Sequence, residues 1–524
     1  MSLFGKFLGV GGATSASRVL GFVREAMIAA ALGAGPVADA FYAALRFPNL
    51  FRRLFAEGAF NSAFVPIFAK EVEANGEHSA AQFAGEVFSV LALALAVLTG
   101  IALVFMPFLA ATVIAPAFQD TPDKFDLTVL LARIMFPYLA AMSLVAMLSG
   151  VLNSFRKYFL AALAPVLLNI VLIAILFTAL RTGWADRNVG VALAIGVVVA
   201  GLLQLGLLVY GLVRLGFRFT PKKPRLTPQV RRLLTLAAPA ALTGGIVQIN
   251  LVIGQIIASQ QDGAIALLNY ADRIYQLPLG VIGIAIGVVL LPELARALGA
   301  GEQKTALTLQ NRSLEFGLGL TVPAAVALAL TPVPFIAVIY ERGAFLPETT
   351  QATAAALAAF AIGLPSFVLI KVLQPAYFAR EDMKTPMWFS LVSLIVNAGG
   401  SIAMFPLLGH VGIAAATSLA GWANALLLGW TLWHRGQFRP SPETIRRALM
   451  VLVAAAAMGA VLFGAWTYLQ DAFFASGILI RVGIAVLLIF VSMIVYFGLA
   501  LATGGIDRAM LGRSLKRRGG ESPP

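Results

Sequence analysis

Residues 39–61 read Asp39-Ala-Phe-Tyr-Ala-Ala-Leu-Arg46-Phe-Pro-Asn49-Leu-Phe-Arg52-Arg53-Leu-Phe-Ala-Glu57-Gly-Ala-Phe-Asn61. By length and hydropathy this stretch predicts a membrane-spanning helix, yet it carries three arginines and two carboxylates. A charged side chain at bilayer depth costs about 3 kcal/mol on insertion scales, so such residues usually face protein or a water-filled cavity. The stretch therefore predicts both a membrane fold and the part of it that performs the function.

The composition of the whole chain supports a membrane fold. Of 524 residues, 60% are hydrophobic and only 12% are charged, against about 25% charged residues in ordinary globular domains. A helical span needs about 20 largely apolar residues. On that criterion we predict fourteen membrane helices, at 5–33, 37–69, 83–113, 127–152, 158–181, 188–214, 233–259, 264–297, 307–331, 350–379, 386–407, 411–434, 445–469 and 476–505.

The net charge of +14 is distributed as membrane topology requires. With the N-terminus inside, the cytoplasmic loops and tail hold 25 Lys and Arg residues and the opposite loops hold 4. The positive-inside rule then places both termini in the cytoplasm. Because this placement accounts for the basic charge, we expect no nucleic-acid partner.

Two halves of the chain resemble one another. Pro137 and Pro365, like Asn169 and Asn397, lie 228 positions apart. We therefore predict an all-α fold of two six-helix lobes related by a pseudo-two-fold axis, followed by two further helices. The predicted divisions are an N-terminal lobe (1–214), a basic linker (215–232), a C-terminal lobe (233–438), helices thirteen and fourteen (439–507) and a basic cytoplasmic tail (508–524).

Helical phase divides the intramembrane charges into two groups. Some share a helix face with an opposite charge and can form ion pairs that fix helix packing; these are Arg18 with Glu25, Arg53 with Glu57 and, more loosely, Asp39 with Arg46. The charges left over are Arg24, which shares its face with Ser17, Arg52 and Arg273, which diverges from its neighbour Asp272.

Arginine keeps its proton and offers a planar fork that fits phosphate oxygens. Three arginines from three helices therefore suit a dianionic or trianionic headgroup such as a pyrophosphate, although a purely structural set of ion pairs is the alternative interpretation. Lys371 is open to two interpretations, ligand binding or pairing with a carboxylate, either Glu341 or another at the mouth of the cavity. The sequence has no Walker A motif and no catalytic constellation, so we predict neither an enzyme nor a cofactor.

Several of these residues belong to longer motifs. They are Ser15-Ala-Ser-Arg18-Val-Leu-Gly-Phe-Val-Arg24-Glu25, Pro48-Asn49-Leu-Phe-Arg52-Arg53-Leu-Phe-Ala-Glu57-Gly, Tyr270-Ala-Asp272-Arg273 and Lys371-Val-Leu-Gln-Pro375-Ala-Tyr-Phe-Ala-Arg380. With these motifs the chain resembles the MurJ (MviN) lipid II flippases of the multidrug/oligosaccharidyl-lipid/polysaccharide exporter superfamily.

The resemblance implies alternating-access transport of lipid II, a polyprenyl-pyrophosphate-linked peptidoglycan precursor, to the periplasmic leaflet. It implies that Arg24, Arg52 and Arg273 bind the pyrophosphate and that Arg18 is also functionally important. We expect Arg18, and Ser17 on the same helix face as Arg24, to belong to the substrate-binding site. A supporting network would comprise Glu25, Asp39, Arg46, Asn49, Arg53, Glu57, Asp272 and Lys371. Membrane lipids and the cell-wall synthesis machinery are the partners that it suggests.

The coupling ion stays open. For some members of the family the resemblance implies a sodium site with a carboxylate in the seventh helix, whereas residues 233–258 contain no Asp or Glu. The alternative functions are export of another polyprenyl-linked oligosaccharide or of drugs. A prenyl-pyrophosphate enzyme would need a cluster of metal-binding carboxylates, and none is evident in the sequence.

Overall fold

The computed structural model describes residues 3–51, 53 and 60–506, and over these residues it has sixteen α-helices and no strand. Short π-helical and 3-10 turns follow α3, at Ala110–Ile114 and Pro116–Asp120. The helices are α1 (Leu3–Leu32), α2 (Pro36–Phe51), α3 (Asn61–Leu109), α4 (Pro122–Met135), α5 (Tyr138–Ser154), α6 (Tyr158–Thr182), α7 (Asp186–Leu215), α8 (Pro228–Ala258), α9 (Ala264–Gly299), α10 (Gln303–Leu330), α11 (Pro332–Tyr340), α12 (Pro347–Phe378), α13 (Lys384–Leu408), α14 (His410–His434), α15 (Pro442–Ala475) and α16 (Ile478–Ala502).

Ten helical stretches of the described residues are long and apolar enough to cross a bilayer. The chain is therefore a multi-pass, all-α membrane protein, as predicted. The number fourteen stays a prediction.

The differences from the predicted spans have local causes. The predicted helix 37–69 corresponds to α2 and the start of α3, with residues 52 and 54–59 outside the described residues. Within α3 the chain turns sharply at Gly76, where φ is 80° and ψ is 173°. The predicted helix 127–152 is two helices that meet at Phe136 and Pro137, because proline lacks the N–H of a continuous helix. The nine-residue α11 was not predicted, since its length of about 14 Å is too short for a span.

The chain divides into two compact units, which we call the first unit (1–266 and 342–346) and the second unit (267–341 and 347–524). In the first unit α3 packs on α5, while α5 and α6 pack on α7. In the second unit α10 packs on α12, while α12 and α13 pack on α14. This repeated order of packing agrees with the internal similarity of the sequence.

Two further features concern the predicted lobe limits. Helix α8 was assigned to the C-terminal lobe from sequence, yet it packs on α3 in the first unit. Helices α15 and α16 pack on each other, and they contact α10 and α11 respectively in the second unit. The exact domain limits stay a prediction.

Each unit has its own apolar core. In the first unit, the rings of Phe64 and Phe83 stack with centroids 5.9 Å apart, and Phe217, which follows α7, meets Phe68 edge-on at 5.8 Å. In the second unit, Tyr377 is fully buried and donates a hydrogen bond to the carbonyl of Leu428 at 2.7 Å. These cores hold the helices that carry the charged residues.

Candidate functional site

A polar cluster joins α1 to α6 around Arg24. Arg24 Nη1 donates to Asn169 Oδ1 at 2.9 Å, and Asn169 Nδ2 donates to the carbonyl of Ser17 at 2.9 Å. Ser17 and Arg24 lie about two turns apart on α1, so one amide side chain from α6 contacts both. The predicted substrate-binding residues Ser17 and Arg24 are thus brought together through Asn169.

The same cluster continues from α1 to α2 through Glu25. Arg24 Nη2 lies 2.6 Å from Glu25 Oε1, and the hydroxyl of Tyr42 donates to Glu25 Oε2 at 2.7 Å. The Glu25 side chain is 2% exposed and that of Arg24 11% exposed. Hydrogen bonds to both of its oxygens hold this buried carboxyl group in a fixed position.

This arrangement corrects the expectation that Arg24 has no carboxylate partner. Backbone phase separates neighbouring residues by about 100°, but a long arginine side chain can turn back to the carboxylate beside it. The Arg24 Nε atom makes no hydrogen bond, so the guanidinium keeps a donor beyond those used by Asn169 and Glu25.

A second buried cluster lies where α2, α4 and the turn before α9 meet. Lys124 Nζ is 2.9 Å from both Asp39 Oδ2 and Asp262 Oδ1. Asp39 also accepts hydrogen bonds from the backbone N–H groups of Gly263 at 2.7 Å and Ala266 at 3.0 Å. The predicted pairing of Asp39 with Arg46 is therefore wrong, because a lysine from another helix lies closer than the arginine two turns away.

A turn at 342–346 docks on the end of α1. The N–H of Ala344 donates to the carbonyl of Ala30 at 2.8 Å. Gly343 has φ 61°, and a Cβ there would lie 2.2 Å from the Ala30 carbonyl oxygen. Only glycine accommodates both the left-handed backbone and this close approach.

The other predicted residues of the first unit are placed as follows. Arg18 is exposed on α1 and forms no salt bridge with a described residue, so the predicted pair with Glu25 is wrong. Arg46 and Asn49 are half-buried on α2, and Arg53 is exposed. Arg52 and Glu57 lie outside the described residues, so the predicted pair of Arg53 with Glu57 stays a prediction.

The second unit carries the remaining predicted cations. Arg273 is exposed on α9, and its half-buried neighbour Asp272 accepts a hydrogen bond from Gln276. Lys371 is exposed on α12, with its Cγ 3.8 Å from the position of a Cβ at Gly283 of α9. The side chain of Lys371 therefore passes along α9, the helix that also carries Arg273.

Glu341, the suggested partner of Lys371, is engaged elsewhere. Glu341 Oε1 lies 2.7 Å from Arg481 Nη1, and its other oxygen accepts from the Thr350 hydroxyl at 2.6 Å. Arg481 Nε also donates to the carbonyl of Ser476 at 3.0 Å. Pairing of Lys371 with Glu341 is thus not supported, whereas ligand binding and pairing with another carboxylate stay open.

Three residues were missed from the sequence, namely Asn169, Tyr42 and Lys124. In the sequence, Asn169 serves only as evidence for the internal repeat, because Asn397 lies at the corresponding position of the second half. The recurrence of a polar residue at this position could have indicated a structural or functional role. Tyr42 carried no signal, since a tyrosine in an apolar helix is common. From sequence, Lys124 is one of the 4 positive charges assigned to the loops opposite the cytoplasm. In the structure it belongs to α4, and its side chain is only 3% exposed.

The family model "Lipid II flippase MurJ" matches residues 28–483. A probable lipid II flippase MurJ of Rhizobium tropici is 53% identical over 521 residues, which cover 99% of this chain and 97% of the relative. A lipid II flippase MurJ of Burkholderia cenocepacia is 36% identical over 87% of this chain and 88% of the relative.

Solved structures agree with these relatives. A lipid II flippase MurJ in an inward closed conformation has a TM-score of 0.77 at 25% identity, over 94% of this chain and 97% of that one. An inward-facing multidrug resistance MATE transporter of the MOP superfamily has a TM-score of 0.65 at 16% identity, over 80% of this chain and 94% of that one. At this low identity the match shows the fold alone. The long match to the family model and the identity to the relatives show that the chain belongs to the lipid II flippase MurJ family, whose members are transporters rather than enzymes.

Proposed function

We propose that this flippase holds the pyrophosphate of lipid II with Arg24, Arg52 and Arg273, assisted by Arg18 and Ser17, and moves it from the cytoplasmic to the periplasmic leaflet by alternating access. The family match supports the transport reaction and its substrate. The proposed assignment of residues goes further, and the charges on α1 are the observation that carries it.

Helix α1 presents two arginines with different surroundings. Arg24 is fixed by Glu25 and Asn169, whereas Arg18, six residues earlier, is exposed and forms no salt bridge with a described residue. Six residues correspond to about 9 Å along the helix. A fixed guanidinium and an exposed one on the same helix suit capture of a dianion, because the exposed charge attracts the ligand and the fixed charge orients it.

The electrostatic balance favours contributions from outside this cluster. Arg24 and Glu25 together carry no net charge, so a pyrophosphate needs the positive charge of Arg18 and of further arginines. Arg52 from the same half of the sequence and the exposed Arg273 of α9 are the proposed sources. Lys371, also exposed, is a further cation of the second unit.

The proposed setting is the bacterial inner membrane, with both termini and the linker in the cytoplasm. The prenyl chain would lie along α15 and α16, whose outward side chains are largely apolar; examples are Phe463, Leu479 and Phe490, each more than half exposed. The membrane potential is a suitable energy source, since moving one charge across 100 mV corresponds to about 2.3 kcal/mol, and α8 contains no Asp or Glu.

The test is complementation in cells depleted of their own flippase, with accessibility of lipid II at the outer face as the readout. Arg52→Ala and Arg18→Gln should each abolish outer-face lipid II although the proteins are made and inserted. Arg52→Lys should also impair transport if the planar fork matters. Full rescue by Arg52→Ala would reject the assignment of that residue.

A matched control distinguishes the loss of an arginine of the proposed site from the loss of any intramembrane arginine. Arg133 is exposed on α4 and donates to the carbonyl of Leu103 at 3.1 Å, and it has no place in the proposed site. Arg133→Gln should support growth and normal outer-face lipid II. Equal loss in Arg133→Gln and Arg18→Gln would show that any intramembrane arginine matters, and the proposed pyrophosphate site would then be wrong.

A further inference from the structure

The segment between α7 and α8 is packed against α3. The backbone N–H of Lys222 donates to Ser89 Oγ at 2.9 Å, and the hydroxyl of Thr227 donates to Glu86 Oε2 at 2.9 Å. A Cβ at Gly85 would lie 2.4 Å from the carbonyl oxygen of Thr220, so the two backbones meet as closely as a glycine allows. The segment therefore has a fixed path across the helix.

This path creates a groove of about 540 Å³ between α3 and the residues 224–226. Its α3 wall includes Leu93, Val97 and Ile101, which are each more than half exposed and recur every four residues along one face. Eight residues correspond to about 12 Å along the helix. The groove is thus elongated, apolar and open on its outer side.

The end of the groove at the linker is cationic. Arg225 lines it, with Lys223 exposed two positions earlier. Neither side chain forms a salt bridge with any residue in the ranges 3–51, 53 and 60–506. The nearby carboxylate of Glu86 accepts a hydrogen bond from Thr227, and its Oε1 lies 4.0 Å from Lys222 Nζ. Two cations without a salt-bridge partner among the described residues therefore lie at one end of the apolar groove.

We propose that this groove is a specific site for an anionic phospholipid of the surrounding bilayer. Its phosphate would be bound by Arg225 and Lys223, and one acyl chain would lie along Leu93, Val97 and Ile101. The occupant must be amphipathic, because the apolar wall belongs to a stretch long and apolar enough to span the membrane. It must be anionic, since the guanidinium fork fits phosphate oxygens and juxtamembrane basic residues attract anionic headgroups.

The site is separate from the proposed pyrophosphate site, since none of its residues is among those assigned to lipid II. It requires only that the chain reside in a bilayer containing anionic lipid. Occupancy would attach the linker to the membrane surface at the point where it is already fixed to α3. A failure of this site would leave the transport proposal untouched, and the converse also holds.

The test is native mass spectrometry of the purified full chain, titrated with phosphatidylglycerol or phosphatidylcholine. We expect tighter binding of phosphatidylglycerol, weakened about fivefold by Arg225→Gln and by a similar factor on adding Lys223→Gln. Lys304→Gln, which removes an exposed lysine of the second unit, should leave binding unchanged. Equal affinity for the two lipids, or equal effects of Arg225→Gln and Lys304→Gln, would overturn the proposal.

A steric pair of variants tests the acyl-chain part of the site. Val97→Trp should fill the groove and reduce phosphatidylglycerol binding, whereas Val104→Trp, at a more exposed position of α3 outside the groove, should not. Melting temperatures of all variants show whether they remain folded, and these surface positions should not change them. Unchanged binding in Val97→Trp, or displacement by a polyprenyl pyrophosphate but not by phosphatidylglycerol, would reject a phospholipid as the occupant.

Discussion

Lys124 Nζ lies 2.9 Å from Asp39 Oδ2, and both side chains are almost completely buried. Removing one member of a buried ion pair leaves an uncompensated charge, which costs about 3 kcal/mol or more. Asp39→Ala and Lys124→Met should therefore each lower the melting temperature of the purified protein. The double variant Asp39→Asn/Lys124→Met should regain part of the loss, since Asn can still accept from Gly263 and Ala266.

The control for this pair is the third member of the cluster. Asp262 contacts the same ammonium group, but its side chain is 91% exposed, and exposed ion pairs contribute little. Asp262→Asn should thus change the melting temperature far less than Asp39→Ala. A wild-type melting temperature in Lys124→Met would contradict the importance assigned to the buried pair.

Gly343 gives a second prediction about the same part of the first unit. Gly343→Ala should destabilise the protein by more than the roughly 1 kcal/mol of a left-handed alanine, because its Cβ would meet the carbonyl oxygen of Ala30. Gly183 is the matched control, with φ 64° and open space around its Cβ position. Equal melting temperatures for Gly343→Ala and Gly183→Ala would show that the turn at 342–346 can shift to accommodate the Cβ without loss of stability.

The helical membrane fold could be predicted from the sequence because it depends on local hydropathy. The internal repeat could be predicted because matching residues recur at a constant spacing. It could not supply the partner of Asp39, since Lys124 is 85 positions away. It also missed the pairing of Arg24 with Glu25, because helical phase describes where a side chain leaves the backbone and not where a flexible guanidinium ends. Contacts between helices and side-chain conformations are thus the parts that sequence reasoning alone left out.

Asn169 gives a third prediction, concerning transport. Asn169→Ala removes the amide that links Arg24 to the carbonyl of Ser17, so the guanidinium loses its fixed orientation. If Arg24 contacts the pyrophosphate, outer-face lipid II should fall severalfold in complemented cells at equal protein level.

The repeat offers the control for this variant. Asn397 lies at the corresponding position of the second unit and accepts from the Thr417 hydroxyl at 3.2 Å. Asn397→Ala removes a comparable buried amide within the second unit, and it should reduce stability without a comparable loss of transport. Similar transport defects in the two variants would mean that Asn169 acts through stability alone.

The loop between α12 and α13 gives a pH-dependent prediction. Burial alone would raise the pKa of Asp382, but hydrogen bonds from the hydroxyl and N–H of Thr385 and the guanidinium of Arg435 lower this pKa from 3.8 to about 2. A carboxylate with a lowered pKa stabilises the folded state above pH 3.8, and this contribution is lost as the pH falls toward 2. The melting-temperature advantage of the wild type over Asp382→Asn should therefore be constant from pH 8 to pH 5 and shrink below about pH 4.

The neighbouring Glu381 is the control, since it is exposed in the same loop and forms no salt bridge with a described residue. Glu381→Gln removes the same charge and should change the melting temperature little at any of these pH values. An advantage of wild type over Asp382→Asn that has already vanished at pH 5 would show that the contacts with Thr385 and Arg435 do not hold the carboxylate. An advantage that persists unchanged at pH 2 would show that Asp382 stabilises the loop through its shape and not its charge.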